Sequence, residues 1–311
     1  MDELFADRLL ARIQEKKAPI CVGIDPVYEL LPDAVAGPAD ERDANDFERC
    51  IDAIFDFTTA VLKVIAPHVP CVKFQSAFFE KYLSQGVEIY YSLIQEAAEH
   101  GLIVIGDVKR GDIGSTAEAY AAAHLADLAF DEMDDMAMPD AITVNPMCGL
   151  DTLEPFIQAA RTYGKGIFVL VRTSNPGSAE LQDVVLADGR TWSEALADRL
   201  APIAASPGLV GSSGFSAIGA VVGATQPHTI ASLRKRLPQS IFLLPGYGAQ
   251  GATAEMTRAA FINGRGAIVS ASRSILYAHR EPKYSSQFGD DWKKCVVQAI
   301  LDMKQDLLAV M

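Results

Sequence analysis

The sequence predicts an α/β fold, and within that class a single (β/α)8 TIM barrel. Eight short apolar runs recur along the chain, and each is followed by a stretch with helical spacing. The runs are apolar throughout rather than alternating, which is typical of parallel strands covered on both faces by helices. One barrel routinely fills 311 residues, so we expect a single domain over residues 1–311 with helices at both ends. A doubly wound sheet is the alternative, because it uses the same βα units.

The predicted strands follow one another in chain order. They are Ile20–Ile24, Cys71–Phe74, Leu102–Val108, Ala141–Val144, Ile167–Val171, Ala220–Val222, Ile241–Leu244 and Ala267–Val269. Apolar residues at helical spacing between Phe47 and Leu62 predict a helix between the first two strands. Pro32–Asn45, Ser174–Arg190 and Ser206–Ser216 are rich in Pro, Gly, Ser or acids and are expected to be loops.

Two further local patterns concern helix ends. Ser115-Thr-Ala-Glu118 has the spacing of a capping box and predicts that a helix starts there. The acidic run Asp131–Asp135 is expected to be a solvated helix end.

Charge and composition exclude several classes of protein. Lys plus Arg total 27 against 40 acidic residues, a net charge of −13, which argues against nucleic acid or an anionic membrane as the main partner. Apolar runs such as Ile167–Val171 are far shorter than the roughly 20 residues of a membrane helix. The charged N-terminus does not resemble a signal peptide. We therefore expect a cytoplasmic protein. The negative net charge does not exclude an anionic small molecule as ligand, because a single pocket can be positively charged.

The cysteines and histidines show no metal-binding pattern. The five cysteines are odd in number and lack C-x-x-C spacing, so neither a disulfide framework nor a zinc site is expected. Cys21 and Cys71 lie in apolar runs and are predicted to be core residues. The five histidines lie away from the predicted strand ends. No metal site is predicted.

Charged residues cluster where the predicted strands end, which is where a barrel carries its active site. Asp107 and Lys109 are two apart on one strand, so their side chains share a face. Lys73 belongs to the neighbouring strand, and Asp112 follows closely. Ammonium groups alternating with carboxylates can fix protonation states beside a reacting carbon. A structural ion-pair network at the barrel rim is the alternative interpretation.

The segment Gly246–Gly251 spells G-x-G-x-x-G after the seventh predicted strand. A dinucleotide site is rejected, because the motif normally opens the first βαβ unit and needs an acid about 20 residues later, which Ile262–Arg273 lacks. Arg273 follows the eighth strand, so the two segments together favour a phosphate site. A simple turn and a helix-capping arginine would explain the same residues.

Taken in order, these motifs resemble those of the orotidine 5′-phosphate decarboxylase family, most closely its longer bacterial branch. The resemblance runs from Ile20 to Ala278. Asp107-x-Lys109-x-x-Asp112-Ile113-x-x-Thr116 is similar to the family signature D-x-K-x-x-D-I-x-x-T. The other matching positions are Asp25, Lys73, Ser174-Asn-Pro-Gly177, Gly248-Ala-Gln250-Gly251 and Ser272-Arg273.

The resemblance implies a role for each matched residue. Lys109 is the implied proton donor, positioned by Asp107 and Asp112 with Lys73 completing the charge array. The implied substrate-binding residues are Asp25, Lys73, Ile113 and Thr116 near the ribose, Ser174 on the pyrimidine, and Gln250, Gly251 and Arg273 on the phosphate. Asp112 and Thr116 are implied to reach the site of a partner subunit, which makes a homodimer with shared sites the expected assembly.

The implied reaction is decarboxylation of orotidine 5′-phosphate to uridine 5′-phosphate, the last step of UMP synthesis, with no cofactor and no metal. Lys109 would stabilise a carbanion at C6 and then protonate it. Two alternatives stay open. One is a sister sugar-phosphate decarboxylase or aldolase, a group that uses Mg²⁺ and places an acid where this chain has Lys73. The other is a non-catalytic phosphate-binding barrel.

Overall fold

The structure of the protein is a computed structural model that describes residues 3–126 and 136–311. Eight parallel strands form a closed barrel in chain order, with β1 paired to β8. The predicted TIM barrel is confirmed, and closure of the sheet excludes the doubly wound alternative. The strands are β1 Ile20–Ile24, β2 Cys71–Gln75, β3 Ile103–Arg110, β4 Ala141–Val144, β5 Gly166–Arg172, β6 Ser216–Val222, β7 Ser240–Pro245 and β8 Ala267–Ala271.

Helices surround the barrel, and the first of them closes its amino-terminal end. They are α1 Phe5–Lys16, α2 Asp33–Ala36, α3 Phe47–Ile65, α4 Ala77–Glu80, α5 Leu83–Glu99, α6 Gly114–Leu125, α7 Glu154–Tyr163, α8 Ala179–Gln182, α9 Trp192–Ala204, α10 Pro227–Arg236, α11 Ala254–Thr257, α12 Arg273–Leu276, α13 Pro282–Phe288 and α14 Trp292–Leu308. The predicted helix between the first two strands is α3. Two of the predicted loops contain the short helices α2 and α8. Across residues 3–126 and 136–311, no helix has the length and apolar character needed to cross a membrane.

The core has two layers that leave one end of the barrel open. The outer layer packs the surrounding helices against the strands. The inner layer fills the barrel interior and includes Cys21 and Cys71, as expected, together with Phe5 and Leu9 of α1. Phe5 packs edge-on against Phe168 at 5.8 Å between ring centroids. Helix α1 therefore plugs the amino-terminal end of the barrel interior.

The predicted capping box at Ser115 is wrong. Helix α6 begins at Gly114, and its cap position is Ile113, which makes no side-chain capping bond. A capping residue needs an extended backbone, which Ile113 has, whereas Ser115 lies within the first helical turn. The Ile113 N–H bonds to the Asp112 carboxylate at 2.8 Å instead. The acidic run Asp131–Asp135 lies outside the described residues.

Candidate active site

A cavity of about 430 Å³ opens at the carboxyl ends of the strands. Its volume is in the range of small-molecule sites. The wall combines apolar positions near the strands with polar residues from the loops that follow them. Seven of the residues with an implied catalytic or substrate-binding role line it, namely Asp25, Lys73, Asp107, Lys109, Ser174, Gln250 and Arg273. These seven come from six of the eight strands or the loops after them.

Asp107 is the centre of a charge cluster on this wall. Its Oδ2 accepts hydrogen bonds from Lys73 Nζ at 2.8 Å and from Gln75 Nε2 at 2.9 Å. Its Oδ1 accepts from Lys109 Nζ at 2.6 Å and from Thr143 Oγ1 at 2.8 Å. A carboxylate offers about four acceptor positions. All of them are occupied, so the carboxylate is fixed in orientation.

The cluster also fixes the charge states of its buried members. Burial alone would raise the pKa of Asp107, but the ammonium groups of Lys73 and Lys109 outweigh burial and hold that pKa well below its usual range. Burial likewise opposes protonation of Lys73, yet Asp107 and Asp25 raise the pKa of Lys73 above its ordinary value. Asp107 is therefore an anion and Lys73 a cation at neutral pH.

Lys109 is held at the mouth of this cluster by a local distortion of β3. Pairing with β4 jumps from Gly106 opposite Ile142 to Arg110 opposite Val144, so extra residues are accommodated at this point. Lys109 takes a left-handed backbone with φ of +46°, which is unfavourable for a residue with a Cβ. Its side chain remains 45% exposed, whereas that of Asp107 is 9% exposed. The distortion thus presents the ammonium to the cavity while its partner stays buried.

Asp25 extends the cluster on the other side. Its Oδ1 lies 4.0 Å from Lys73 Nζ and has no hydrogen-bond donor among the described residues. The loop that carries it is pinned by Tyr277, whose hydroxyl accepts from the Val27 N–H at 2.7 Å and donates to the Asp25 carbonyl at 3.1 Å. Asp25, Lys73, Asp107 and Lys109 therefore form an alternating row of charges.

Ser174 lies in a segment that a buried arginine holds in place. Arg172, at the end of β5, makes a two-pronged ion pair with Asp183, at 2.8 Å from Nε and 2.9 Å from Nη2. Arg172 also donates to the Thr173 carbonyl and the Ser178 hydroxyl. These bonds tie the start of the segment after β5 to residues further along it. Ser174 lies within this segment and lines the cavity.

The opposite side of the cavity has the features of an anion site. The loop after β7 has left-handed backbone at Gly246, Gly248 and Gly251, and it places Gln250 on the wall. Gly251 itself lies next to the wall rather than in it. Arg273 begins α12 after β8, and no carboxylate among the described residues pairs with it. An unpaired guanidinium beside a glycine-rich loop suits a phosphate group.

Three residues singled out in the sequence do not reach the cavity of their own subunit. Asp112, Ile113 and Thr116 lie in the loop and first turn of α6, outside the residues that line the cavity. Ile113 is 64% exposed, and Thr116 is also exposed. Asp112 is therefore not part of the row of charges within one chain.

The structure adds residues to which the sequence assigned no individual role. Gln75 and Thr143 both bond to Asp107, and Thr173, Asn175 and Tyr247 also line the cavity. Gln75 follows Lys73 at a spacing of two on the same strand, a signal that could have identified it. Thr143 carries a hydroxyl within the otherwise apolar strand β4. Its contact with Asp107 depends on how β3 and β4 align, which the sequence does not reveal. Within residues 3–126 and 136–311, no group of three or more His, Cys, Asp or Glu side chains could hold a metal ion.

The fold and the site define a TIM-barrel protein with a charged cavity at its carboxyl end. The family model described as "Orotidine 5'-phosphate decarboxylase / HUMPS family" matches residues 18–287, so the chain belongs to that family. An orotidine 5′-phosphate decarboxylase of Rhodopirellula baltica is 40% identical over 305 residues, covering 97% of this chain and 98% of that protein. One from Caldicellulosiruptor bescii is 35% identical and covers 98% of both chains. The crystal structure of a putative orotidine 5′-phosphate decarboxylase of Streptomyces avermitilis superposes with a TM-score of 0.78 at 32% identity. The match covers 99% of this chain and 96% of that one.

Proposed function

We propose that this protein decarboxylates orotidine 5′-phosphate to uridine 5′-phosphate, the last step of UMP synthesis. The observation that carries the proposal is the Lys109 ammonium, 2.6 Å from a fixed Asp107 carboxylate and directed at an open cavity. Family membership and the activity named for relatives over nearly the whole chain support the same conclusion.

The reaction requires electrostatic stabilisation more than covalent chemistry. When the C6–carboxylate bond breaks, its electron pair stays on C6 in an orbital in the plane of the ring, where the π system cannot delocalise it. A fixed ammonium close to C6 stabilises that charge as it develops. We assign this role to Lys109, which then transfers an Nζ proton to C6. This step needs no cofactor and no metal.

Asp107 and Lys73 give this ammonium its position. Asp107 is held on four sides, so the Lys109–Asp107 contact has one geometry rather than many. Preorganisation of this kind lowers the cost of reorganisation during the reaction. Asp25 and Lys73 lie on the side where the ribose is proposed to bind, with Ser174 on the pyrimidine.

The proposed phosphate site is Gln250, Gly251 and Arg273. Phosphate is remote from C6, and the free energy of binding it can stabilise the transition state by ordering the loops around the base. The glycine-rich loop supports this assignment, and so does Arg273, which has no carboxylate partner within residues 3–126 and 136–311.

We also propose a homodimer with shared sites, in which Asp112, Ile113 and Thr116 serve the partner's cavity. These residues lie outside their own cavity, with Ile113 and Thr116 exposed and Asp112 half-buried, which supports a role in trans. We further propose residues 1–311 as one domain and the cytoplasm as its location.

The sister sugar-phosphate enzymes are the second candidate, because the matching family description also includes the HUMPS group. Lys73 stands on β2 where those enzymes were expected to place an acid, and it is bonded to Asp107. That ion pair favours the cofactor-free decarboxylase. A silent phosphate-binding barrel would have no need of the fixed Lys109–Asp107 contact.

A single assay tests the proposal. Orotidine 5′-phosphate is added to the purified protein with EDTA present, and the fall in ultraviolet absorbance is followed. Turnover in EDTA is the expected result, and uridine 5′-phosphate is confirmed by chromatography. Turnover of a sugar phosphate that requires Mg²⁺ would instead support the sister enzymes, and binding without turnover would support the silent barrel.

A further inference from the structure

Thr143 occupies an unusual position between the two most important groups of the site. Its side chain lies at the end of β4, and the residue is 1% exposed. The hydroxyl donates to Asp107 Oδ1 at 2.8 Å and accepts from the backbone N–H of Lys109 at 3.0 Å. One oxygen atom therefore contacts both the carboxylate and the backbone of the lysine beside it.

The backbone contact coincides with the distortion of β3. Residues 107–109 lie in the register shift between Gly106 and Arg110, where the regular ladder to β4 is interrupted. The Lys109 N–H bonds to the Thr143 side chain within that interruption. Lys109 also has a left-handed backbone that residues with a Cβ rarely adopt. Such a conformation persists only where its surroundings hold it.

The carboxylate contact has a separate consequence. Oδ1 of Asp107 accepts from both Lys109 Nζ and Thr143 Oγ1. With the hydroxyl removed, this oxygen would keep only the flexible ammonium, and the carboxylate could rotate about the bonds on its Oδ2 side. The direction of the ammonium would then be less well defined.

We propose that Thr143 is a positioning residue that sets both the backbone and the side-chain direction of Lys109 through its single hydroxyl. The role rests on the proposed function, because it matters for catalysis only if Lys109 delivers the proton. Thr143 acts through Lys109 and Asp107 rather than on the substrate.

The test compares four variants with the wild type. Thr143→Val keeps the shape and removes the hydroxyl, and Thr143→Ala removes it without branched bulk in case the valine variant folds poorly. Thr143→Ser keeps the hydroxyl and removes only the methyl group. Thr58→Val is the matched control, because Thr58 is also 1% exposed but its hydroxyl has no partner among the described residues.

We expect Thr143→Val and Thr143→Ala to lower kcat by about tenfold or more, equivalent to about 1.4 kcal/mol or more in the barrier. KM and the affinity for uridine 5′-phosphate should change by less than about threefold, because the proposed binding groups are intact. Thr143→Ser should restore kcat, and Thr58→Val should leave it unchanged. Normal kcat in Thr143→Val, or an equal loss in Thr143→Ser, would overturn the proposal.

A second measurement separates this proposal from the proposed function. Amide hydrogen exchange on a peptic peptide that contains Lys109 reports the Lys109–Thr143 bond without any turnover. Exchange should accelerate by about tenfold or more in Thr143→Val and Thr143→Ala, and in neither Thr143→Ser nor Thr58→Val. Wild-type protein with no activity on orotidine 5′-phosphate would overturn the proposed function. Unchanged exchange in both hydroxyl-free variants would overturn the positioning role.

Discussion

Lys109 lies at the exposed end of the charge cluster, so its ammonium can be removed with little effect on folding. Lys109→Ala retains a Cβ, so the left-handed backbone is no more strained than before. We expect kcat to fall by a factor of about 10² to 10³ or more, the range seen when one preorganised group is lost. The melting temperature should stay close to the wild type. Turnover and circular dichroism measured on the same sample check both expectations.

Lys63→Ala is the control for this variant, because Lys63 is an exposed lysine of α3 away from the cavity. Its kcat should equal the wild-type value. Near-normal turnover in Lys109→Ala would remove Lys109 from the mechanism.

Arg273 is expected to recognise the phosphate, and a substrate without phosphate reports that role directly. Arg273→Ala should lower kcat/KM for orotidine 5′-phosphate by about tenfold to a hundredfold, the loss of a charge-assisted hydrogen bond of about 1.5–3 kcal/mol. The much smaller kcat/KM for orotidine itself should not change. Arg265→Ala, at an arginine that does not line the cavity, is the control. An equal loss on both substrates would contradict a phosphate contact.

At the scale of elements, the segment after β5 depends on the Arg172–Asp183 ion pair. The Arg172 side chain is 5% exposed, so Asp183→Asn leaves a buried cation without its anion. We expect faster proteolysis within residues 174–190 and a KM raised by about threefold to tenfold, because Ser174 loses its fixed position. Limited proteolysis and steady-state kinetics provide the measurements.

Asp188→Asn is a matched control for Asp183→Asn, because Asp188 lies in the same segment but its ion pair with Arg190 is accessible to solvent, with side chains 50% and 36% exposed. Exposed pairs of this kind contribute little. If Asp188→Asn loosens the segment as much as Asp183→Asn does, the buried ion pair is not what holds it.

The strands were predictable because each is buried on both faces and therefore apolar throughout. The one large error in length is β6, which was predicted as Ala220–Val222 and begins at Ser216. Its first half contains Ser216 and Gly219, whose small or polar side chains hide a strand that the barrel buries completely. For α6 the sequence pattern was misleading rather than absent. Ser115 begins a capping-box pattern, but its backbone already lies inside the helix.

Most residues of the candidate site were predictable because they lie where apolar strands end, whereas contacts that depend on the register between two strands were not. The spacing of Asp107 and Lys109 placed them together, and the structure joins them by an ion pair. Thr143 was missed because its two bonds depend on the interrupted register of β3 and β4. No pattern within a single strand contains that information.

At the scale of the whole molecule, a buried arginine stabilises the end of the barrel opposite the cavity. Arg234 donates to the carbonyls of Ala260, Leu237, Ser240 and Gly266 and stacks 3.6 Å from the centre of the Phe242 ring. Arg234→Met keeps much of the volume but removes all four donated bonds, so the Leu237 and Gly266 carbonyls keep only their backbone donors, the N–H groups of Ser240 and Phe242. We expect a loss of about 3 kcal/mol or more in the free energy of unfolding.

Urea denaturation measures the effect of Arg234→Met, and kcat of the folded variant should stay near the wild-type value because this end of a barrel serves stability. Arg265→Met is the control, since the side chain of Arg265 makes one long hydrogen bond at 3.5 Å and lies 5.7 Å from the centre of the Phe215 ring. Equal stability of the two variants would contradict the role of Arg234.

The position of Asp112 bears on how the protein assembles. Asp112 follows Lys109 by three residues but lies outside its own cavity, so a role in catalysis requires a second subunit. In a two-fold dimer the two contacts are equivalent, so if Asp112 of one chain reaches the partner's site, Asp112 of the partner reaches the first chain's site. Two inactive variants can therefore complement each other only if the sites are shared.

Lys109→Ala and Asp112→Ala homodimers should each be severely impaired, whereas mixing them should restore activity. With Asp112 acting in trans, one site of each mixed dimer carries both lesions and the other is intact. At full exchange of equal amounts, half of the dimers are mixed, so about a quarter of the wild-type activity should return. With Asp112 acting within its own chain, every site keeps one lesion and nothing returns. Activity is measured after mild denaturation and refolding, and native mass spectrometry of tagged chains shows independently that mixed dimers formed. Mixed dimers without activity would exclude the shared site.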